Sequence, residues 1–303
     1  MNEGDLLGEA RDSRSQFIES IGQSKSYFVR ALVTALFSKR FHKAYFAGTQ
    51  RLKPFSGTGT ISFDCDHSPD IAALPQLLSI LSRCHVRATF SCVGKLVELH
   101  PVEHSAILEE GHEIMNHTFS HPFNEELNST NRFDRLSTEA QTEEIVKCHE
   151  SCKSILRYEP KGFRTPHFAV QHTKAIYDIL PKLGYKYSSS TLAVGCTSHG
   201  MPFKEGEILE FPVSVCPKHP FQAFDTYHAF RSRITKHRNE EDFLNEFAGI
   251  VDFCSKRGIY VNFYFDPQDV VTIRGFEKAL MTVKENLDML TYEQLYSRWH
   301  HEA

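Results

Sequence analysis

The sequence lacks any run of about 20 apolar residues, the length that a helix needs to span a bilayer. It also contains no internal repeat and no low-complexity tract. With 41% hydrophobic and 24% charged residues among 303, the composition is that of an ordinary globular protein, which excludes disordered and collagen-like chains. A chain of this length can bury a sizeable core without disulfides, so a disulfide-stapled miniprotein is excluded as well.

A signal peptide is not recognisable, because the first residues, MNEGDLLGEARDS, are acidic and polar. We therefore expect a cytoplasmic protein whose eight cysteines are reduced and mostly buried. Cys148 and Cys152 lie four residues apart on a predicted helix and could share a metal. No second pair of Cys or His follows at zinc-finger spacing, so two buried thiols on one helix face are the favoured interpretation.

Acidic residues are absent from residues 20–63, which contain seven basic ones. Because the formal net charge of the whole chain is −4, the remaining residues carry about −11. An acidic body argues against a general nucleic-acid binder, but a locally basic segment can bind an anionic surface. Lys53-Pro54 and Ser56-Gly57 mark a boundary. We predict a basic amphipathic helical extension over residues 1–56 and a main domain over residues 57–303.

The extension has a helical pattern from Phe17 to Ala47, broken around Gly22–Ser26, after a disordered lead over residues 1–15. Four apolar side chains share one face of the second helix: Phe28, Leu32, Ala35 and Leu36. Two alternatives remain open. This face packs on the main domain, or the helix lies in a membrane interface with its basic residues towards anionic head groups.

Strand and helix signals alternate after residue 57. The candidate strands cover residues 58–64, 86–93, 112–117, 161–165, 185–190, 208–214 and 259–265. The candidate helices cover residues 70–84, 95–110, 137–157, 171–183, 240–257 and 273–288. Strands that are mostly followed by helices predict a parallel, barrel-like α/β fold. In such folds the chemistry gathers at the C-terminal ends of the strands.

Two strand ends carry residues that can bind a metal. Asp64 and Asp66 end the first strand and point the same way, while the side chain of Cys65 points to the opposite face of the strand, into the wall of the barrel. Taken alone, this pair is more typical of a helix cap. His117 and His121 follow the third strand at i and i+4, a spacing that can chelate one ion from a helical turn. Joined to Asp66, they form the one-carboxylate, two-imidazole set of a catalytic metal site.

Arg164 follows the fourth predicted strand. Its guanidinium can hold Asp64 by a bidentate, charge-assisted pair. The backbone amides that follow Arg164 are candidates to stabilise an oxyanion. On its own, an R-x-P sequence is more typical of a surface turn.

The order of the motifs resembles that of the polysaccharide deacetylase (NodB-homology) superfamily, of carbohydrate esterase type. The matching motifs run from about residue 58 to 268 and are ISFDCDHSPD, RATFSCVG, EGHEIMNHTFSHP, FRTPHF, LGYKYSSSTL, LEFPVS and YFDP. The resemblance implies a deformed (β/α)7 barrel. It also implies a hydrolase that depends on a divalent metal, most typically Zn²⁺, and removes acyl groups, usually acetyl from an amino sugar.

The resemblance also implies roles for individual residues. Asp64 would be the catalytic base, and Arg164 would orient it. Asp66, His117 and His121 would hold the metal. Four further residues would bind substrate in the groove: Pro166, His167, Phe168 and Pro212. The segment 210–214 would line the same site.

Two positions depart from the family pattern. Ser188 stands where many relatives have Asp, and Asp266 stands where many have the His that protonates the leaving amine. Three alternatives remain open for the general acid. Asp266 takes this role with a pKa raised by burial, or another histidine replaces it, or the chain binds without turnover. The candidate histidines are His167, His199 and His219.

A cytoplasmic location shifts the expected substrate from cell-wall polymers to soluble amino sugars or lipid-linked sugars at the inner leaflet. The basic segment 25–53 favours the second, since each basic residue near an anionic surface contributes ~1 kcal/mol. The sequence therefore predicts a membrane-peripheral deacylase of a glycan precursor. A catalytically impaired carbohydrate binder and an amidase for a non-sugar C–N bond are the alternatives. Candidate stacking residues, more often found in cores, are Phe168, Phe221, Phe224 and Tyr227.

Overall fold

The computed structural model describes residues 13–47, 49, 53–196, 198–233 and 237–302. Residues 1–12, most of the predicted disordered lead, lie outside the described residues. In the described ranges, the strands are β1 Thr58–Cys65, β2 Thr89–Cys92, β3 Glu113–Asn116, β4 Gly162–Phe163, β5 Tyr187–Ser188, β6 Phe203–Glu205, β7 Ile208–Glu210, β8 Val261–Phe265 and β9 Asp288–Met289. The helices are α1 Ser13–Gln23, α2 Tyr27–Ala47, α3 Ser68–Cys84, α4 Gly94–Leu99, α5 Pro101–Glu109, α6 Thr138–Leu156, α7 Phe168–Gln171, α8 Ile176–Ile179, α9 Glu240–Arg257, α10 Pro267–Val270, α11 Phe276–Asn286 and α12 Tyr292–Glu302.

Parallel strands form the body of the sheet, in the order β7-β5-β4-β3-β2-β1-β8. These are the seven strands that the sequence predicted. β6 adds an antiparallel edge to β7, and β9 pairs with the start of β1. The strands β6 and β9 and the helix α12 were not predicted. The two strands are short, and the helix follows the last recognised motif.

The two ends of the parallel series meet beside β8. The amide of Ser214, just beyond β7, donates to the carbonyl of Asn262 in β8 at 2.9 Å. The side-chain amide of Asn262 donates to the carbonyl of Phe211 at 3.0 Å. The sheet therefore curls into a barrel that is bridged at this point by a few hydrogen bonds rather than by a regular ladder. This is the deformed (β/α)7 barrel that the motifs implied.

Strand β1 lies at the centre of the core and carries the first site residues. All eight of its residues are buried, as expected for a parallel strand covered on both faces. Its register places Asp64 beside Ser91 of β2 and Phe63 beside Phe265 of β8. The carboxyl ends of β1, β2, β3 and β8 therefore lie at one edge of the barrel.

Prolines explain two departures from the predicted helices. The helix predicted over residues 95–110 is divided into α4 and α5, and α5 begins at Pro101. The helix predicted over residues 171–183 is reduced to α8 and a short 3₁₀ turn that begins at Pro181. Proline is favoured at the first turn of a helix and lacks the amide that would continue a preceding one.

Helices α1 and α2 form a hairpin with the predicted break between them. The C-terminal half of α2 packs on the barrel, where Phe41, Tyr45 and Phe46 are buried. The Tyr45 hydroxyl donates to the carbonyl of Cys196 at 3.0 Å. The ring of Phe41 stacks on Phe221 at 5.4 Å between centroids.

The barrel contacts a different side of α2 from the apolar face named from the sequence, so the alternative in which that face packs on the main domain is wrong. Phe28, Leu32 and Leu36 are 74%, 45% and 64% exposed, and Ala35 is exposed as well. The buried residues of α2 lie elsewhere on the helix and are Val33, Phe41, His42, Tyr45 and Phe46. Because α2 is apolar on more than one side, a single-face interpretation could not identify the side that packs.

The cysteines agree with the expectation. All eight are free thiols, seven of them are buried, and Cys196 is half-buried. No helix in the described ranges combines the length and apolar character needed to cross a bilayer.

Candidate active site

A cavity of about 320 Å³ opens at the carboxyl edge of the barrel. Its size is that of a small-molecule site. Its wall contains most of the polar residues predicted for the site together with several that were not. The lining residues are Asp64, Asp66, His67, His117, His121, His167, Phe168, Val170, Gln222, Ala223, Asp225, Tyr227, His228, Arg231, Tyr264 and Asp266.

Asp66, His117 and His121 converge as the sequence predicted. Their candidate ligand atoms all lie within 4.8 Å of one another. Nε2 of His121 lies 3.3 Å from Oδ2 of Asp66. The ring centroids of His117 and His121 are 4.7 Å apart. One carboxylate and two imidazoles, with positions left open, are the donor set of a catalytic divalent cation.

Two further observations fit a cation at this triad. Nδ1 of His117 donates to the carbonyl of Arg164 at 2.9 Å, which leaves Nε2 as the ligating atom. Nδ1 of His121 is buried and has no hydrogen-bond partner within the described part of the chain. A buried polar atom without a partner is costly, and ligation of a cation by this nitrogen would satisfy it.

The pKa shifts of the three triad residues also fit a bound cation. Burial lowers the pKa of His117 and of His121, so both rings are held in the neutral form that binds metals. Burial, followed by the charges of Asp266 and Asp64, raises the pKa of Asp66. A divalent cation would oppose this rise, because it favours the ionised carboxylate.

The turn that joins the two histidines is not helical, in contrast to the prediction. Thr118 and His121 adopt φ values of +67° and +48°, in the left-handed region. Two hydrogen bonds hold the turn: the Thr118 amide donates to Oδ1 of Asn116 at 2.8 Å, and the His121 amide to Oγ1 of Thr118 at 3.2 Å. A β-branched residue at positive φ is strained, and such strain clusters at functional sites.

Asp64 and Arg164 form a buried pair, but it is not the predicted bidentate one. Nη1 of Arg164 donates to Oδ1 of Asp64 at 2.6 Å. Nη2 is occupied by the hydroxyls of Ser62, Ser189 and Tyr292 at 2.9–3.0 Å, and Nε donates to the carbonyl of Ser189. Only one nitrogen is therefore left for Asp64. Burial alone would lower the pKa of Arg164, but Asp64 raises it above its usual value.

The second oxygen of Asp64 faces the triad. Oδ2 lies 3.7 Å from Nε2 of His117. One oxygen of the carboxylate is therefore anchored by Arg164, while the other lies beside the candidate ligands. This is the geometry expected of a base that accepts a proton from a molecule bound at the triad.

Asp266 lies at the end of β8 and faces the same cavity. It accepts a hydrogen bond from the Tyr264 hydroxyl at 3.0 Å and pairs with the guanidinium of Arg231, which also lies 3.1 Å from Asp269. Burial and the charge of Asp70 raise the pKa of Asp266, and Arg231 opposes them. Sequence reasoning missed Arg231, because it comes from a distant helical segment, Tyr227–Arg231, with no motif of its own.

The three histidines proposed as alternative acids are widely separated. His167 lines the cavity, with its ring 4.9 Å from that of His121. His199 instead packs against α2, with Nδ1 3.0 Å from the carbonyl of Tyr45. His219 belongs to a separate cluster outside the cavity. The structure therefore brings only one of the three to the site.

A further histidine in the cavity wall was not identified from the sequence. Nδ1 of His228 lies 2.6 Å from Oδ2 of Asp225, and both residues line the cavity. Burial alone would lower the pKa of His228, but the Asp225 carboxylate raises it overall. The D-x-x-H spacing on a helical turn was a readable signal for this pair.

The predicted groove residues divide into two pairs. His167 and Phe168 line the cavity, whereas Pro166 and Pro212 are buried outside its lining. Tyr227 also lines the cavity and is 48% exposed. The other candidate stacking residues, Phe221 and Phe224, belong to the hydrophobic core.

Ser188 and Glu210 lie outside the cavity lining and form hydrogen bonds with the residues that follow β5. Ser188 is buried and donates to the hydroxyl of Ser190 at 2.9 Å. Glu210 is buried and accepts hydrogen bonds from the amides of Ser190 and Thr191 and from the hydroxyl of Tyr177. The segment that begins at Glu210 therefore anchors the loop after β5 instead of lining the cavity.

The fold and the site together define a class of protein: a seven-stranded parallel barrel with a carboxylate–imidazole triad and an arginine-paired aspartate at its carboxyl edge. The family model described as polysaccharide deacetylase matches residues 57–188. This match confirms the resemblance to the polysaccharide deacetylase (NodB-homology) superfamily that the motifs predicted.

Relatives in sequence agree with this assignment. A peptidoglycan-N-acetylglucosamine deacetylase of Bacillus cereus is 31% identical over 107 residues, which cover 35% of this chain and 36% of the relative. A chitooligosaccharide deacetylase of a Bradyrhizobium species is 34% identical over 77 residues, covering 25% of this chain and 35% of the relative. The chain therefore spans about a third of the length of these curated relatives.

Solved structures agree on the fold. A crystal structure described as a polysaccharide deacetylase from Mycobacterium smegmatis superposes with a TM-score of 0.67 at 15% identity, covering 84% of this chain and 94% of that one. A CE4 family pseudoenzyme from Bacillus anthracis superposes with a TM-score of 0.53 at 14% identity, covering 80% of this chain and 66% of that one.

Proposed function

We propose that this protein is a metal-dependent hydrolase that removes an N-acyl group, most typically acetyl, from an amino sugar. One observation carries the proposal: Asp64 is anchored by Arg164 on one side and faces the Asp66–His117–His121 triad on the other, in a single cavity. The names of the relatives, deacetylases of peptidoglycan N-acetylglucosamine and of chitooligosaccharide, support the substrate class.

Asp66, His117 and His121 would hold the cation, and Zn²⁺ suits their mixed oxygen and nitrogen donors. When bound, such a cation polarises an amide carbonyl and lowers the pKa of a nearby water. Asp64 then takes the proton of the attacking water through Oδ2, the oxygen not bonded to Arg164. The fixed guanidinium keeps the carboxylate aimed, so little reorganisation accompanies the proton transfer.

The oxyanion that forms on the substrate needs a donor from the chain. The amide of Thr165 is already used, since it donates to the hydroxyl of Ser190 at 2.9 Å. The amide of His167, which follows Pro166, is the candidate that remains. His167 adopts a φ of +47°, an unusual conformation of the kind found at functional sites.

Asp266 is the proposed general acid that protonates the leaving amine. It is buried at the cavity wall, and its raised pKa favours the protonated form. His228, held by Asp225, is the rival proton donor in the same wall. Both are compatible with release of a carboxylic acid and a free amine.

Release of acetate from N-acetylated amino sugars tests this function. Metal-loaded wild type should release acetate from N-acetylglucosamine oligomers, and Asp64→Asn should lose this activity while keeping its metal. Turnover only on non-sugar amides would favour an amidase. The absence of turnover with every metal and substrate would contradict the proposal and favour a carbohydrate binder.

We propose further that the α1–α2 extension, residues 1–56 in the predicted division, brings the barrel to the inner membrane face to act on a lipid-linked glycan precursor. Large apolar side chains of this hairpin are exposed: Phe17, Tyr27, Phe28, Leu32, Leu36 and Phe37. The basic side chains of Lys25, Arg40 and Lys43 are exposed beside them. Exposed apolar residues with adjacent basic ones are typical of an interfacial helix.

Flotation with liposomes tests the membrane proposal. Wild type should float with anionic vesicles and less with neutral ones, and the double variant Phe28→Ser/Leu36→Ser should stay unbound. The matched control is Leu99→Ser/Val102→Ser, which removes two exposed apolar side chains elsewhere. If wild type stays unbound, or if both variants lose binding equally, the hairpin is not a membrane anchor.

A further inference from the structure

A second cluster of metal-binding side chains lies outside the active cavity. Cys216, His219 and His237 bring their candidate ligand atoms within 4.8 Å of one another. The sulfur of Cys216 lies 3.6 Å from Nδ1 of His219 and 3.7 Å from Nε2 of His237. Cys216 and His237 are buried, and His219 is half-buried. We refer to these three residues as the Cys216 cluster.

Burial raises the pKa of Cys216 to about 12, whereas the backbone of His219 and of Lys218 acts in the lowering direction. A bound cation would offset the effect of burial, because it favours the thiolate over the thiol. Burial also lowers the pKa of His219 to about 4, so this imidazole is neutral and able to ligate.

A carboxylate lies close to the imidazole of His237. Nδ1 of His237 is 3.4 Å from Oδ2 of Asp242, while Nε2 of the same ring faces the sulfur of Cys216. A carboxylate behind a ligating imidazole is a recurring feature of zinc sites, since it fixes the ring and raises its basicity. Asp242 itself is held in place by Lys218 and by the amide of Arg238.

The charges around the cluster leave the thiolate as its anionic ligand. Burial is the largest influence on the pKa of each cluster residue, and the charge of Glu246 acts on all three in the raising direction. Glu246 pairs with Lys39 and Lys218, and Lys218 also pairs with Asp242. These two carboxylates and two ammonium groups offset one another, so a thiolate at Cys216 would supply the negative charge that a divalent ion meets.

The Cys216 cluster joins two segments that border the active cavity. Cys216 closes a loop through its amide, which donates to the carbonyl of Gln222 at 3.0 Å, and Gln222 lines the cavity. The amide of His237 donates to the carbonyl of Ala229 at 2.7 Å, within the segment that carries Arg231. A cross-link at this cluster would hold both segments together.

We propose that Cys216, His219 and His237 form a second, structural metal site for a thiophilic divalent cation such as Zn²⁺, which fixes one wall of the active cavity. One thiolate and two imidazoles suit Zn²⁺, with the remaining position taken by water. This site is separate from the Asp66–His117–His121 triad and stands whether or not the barrel is catalytic.

Cobalt binding tests the second site, because a thiolate ligand gives bound Co²⁺ an intense sulfur-to-metal charge-transfer absorption. Full-length wild type and His117→Ala should both show this band on titration with Co²⁺. Cys216→Ser should lose it, whereas Cys196→Ser, which removes a half-buried thiol outside the cluster, should keep it. Absence of the band from wild type, or its persistence in Cys216→Ser, would overturn the proposal.

A second measurement covers the case in which Cys216→Ser does not fold. His219→Gln retains every cysteine and changes a half-buried residue, and we expect its affinity for Co²⁺ at the charge-transfer band to fall at least tenfold. In a His117→Ala background, Zn²⁺ should raise the unfolding temperature, and adding His219→Gln should reduce this rise. Unchanged affinity and an unchanged rise would also overturn the proposal.

Discussion

Nδ1 of His117 donates a hydrogen bond to the main-chain carbonyl of Arg164. The same arginine anchors Asp64 with its side chain. One residue therefore positions both a candidate metal ligand, through its backbone, and the candidate base, through its guanidinium. The two functions can be separated by changing the side chain alone.

Replacing Arg164 with lysine should impair turnover without removing metal. The carbonyl that holds His117 is retained, but the hydrogen bonds to Ser62, Ser189 and Tyr292 cannot all be kept by an ammonium group. We expect kcat to fall by about 10²-fold, the scale of a small misplacement of a reacting group. Metal content and kcat are measured on the same preparation. If metal content and kcat were both lost in the variant, Arg164 would act through the metal site.

Replacing His117 with alanine should remove about one metal ion per chain. The triad would lose one of its two imidazoles, and three protein ligands are the usual number for a catalytic site. Elemental analysis of the purified variant beside wild type provides the measurement. His149→Ala, which changes a half-buried histidine outside the cavity lining, is the matched control. Equal metal content in wild type and His117→Ala would falsify the site.

Comparison of Asp266→Asn with His228→Gln should identify the proton donor. If Asp266 protonates the leaving amine, Asp266→Asn lowers kcat by about 10²–10⁴-fold, the usual contribution of a general acid. The His228→Gln variant should then retain most of the activity. Substrates with a more acidic leaving amine should restore turnover in the variant that lacks the donor. The reverse ranking of the two variants would assign the role to His228.

Mild acid should weaken the docking of α2 on the barrel through His42. Burial, followed by the charge of Lys43, lowers the pKa of His42 from 6.5 to about 4. Between these values the unfolded chain binds more protons than the folded one, so the free energy of unfolding falls as the pH drops. From pH 7 to 5 the expected loss is about 2 kcal/mol.

His42→Phe provides the control for this effect. Phenylalanine retains an aromatic ring beside Phe46 and Phe253 and removes the titrating group. Chemical unfolding of both proteins at pH 7 and pH 5 gives the free energies. The variant should show a smaller loss between the two pH values, and equal losses would exclude His42 as the cause.

The sequence predicted the barrel and the centre of the site because these depend on local signals. Each strand has an apolar pattern, and Asp64, His117 and Arg164 lie at or directly after the ends of strands that meet in a parallel sheet. Arg231 could not be predicted in the same way. It contacts Asp266 from 35 residues away in the sequence, and the position of its short helical segment is set by packing that no local pattern encodes.

Two other errors have a similar origin. The spacing of His117 and His121 suggested a helical turn, whereas the chain brings them together through left-handed residues stabilised by Asn116. Periodicity named one apolar face of α2, but the helix is apolar on more than one side, and periodicity cannot tell which side packs on the barrel. The C-x-x-H pair of the Cys216 cluster was readable, but its third member follows 18 residues after His219.

The burial of β1 has a consequence for how the site can move. This strand is the centre of the core and also carries Asp64 at its end, between β2 and β8. Its amide hydrogens should exchange with solvent only when the whole barrel opens, whereas exposed loops exchange through small local openings. The candidate base would thus lie in the slowest-exchanging part of the molecule, and adaptation to substrate would fall to the segments that carry Arg231 and His167.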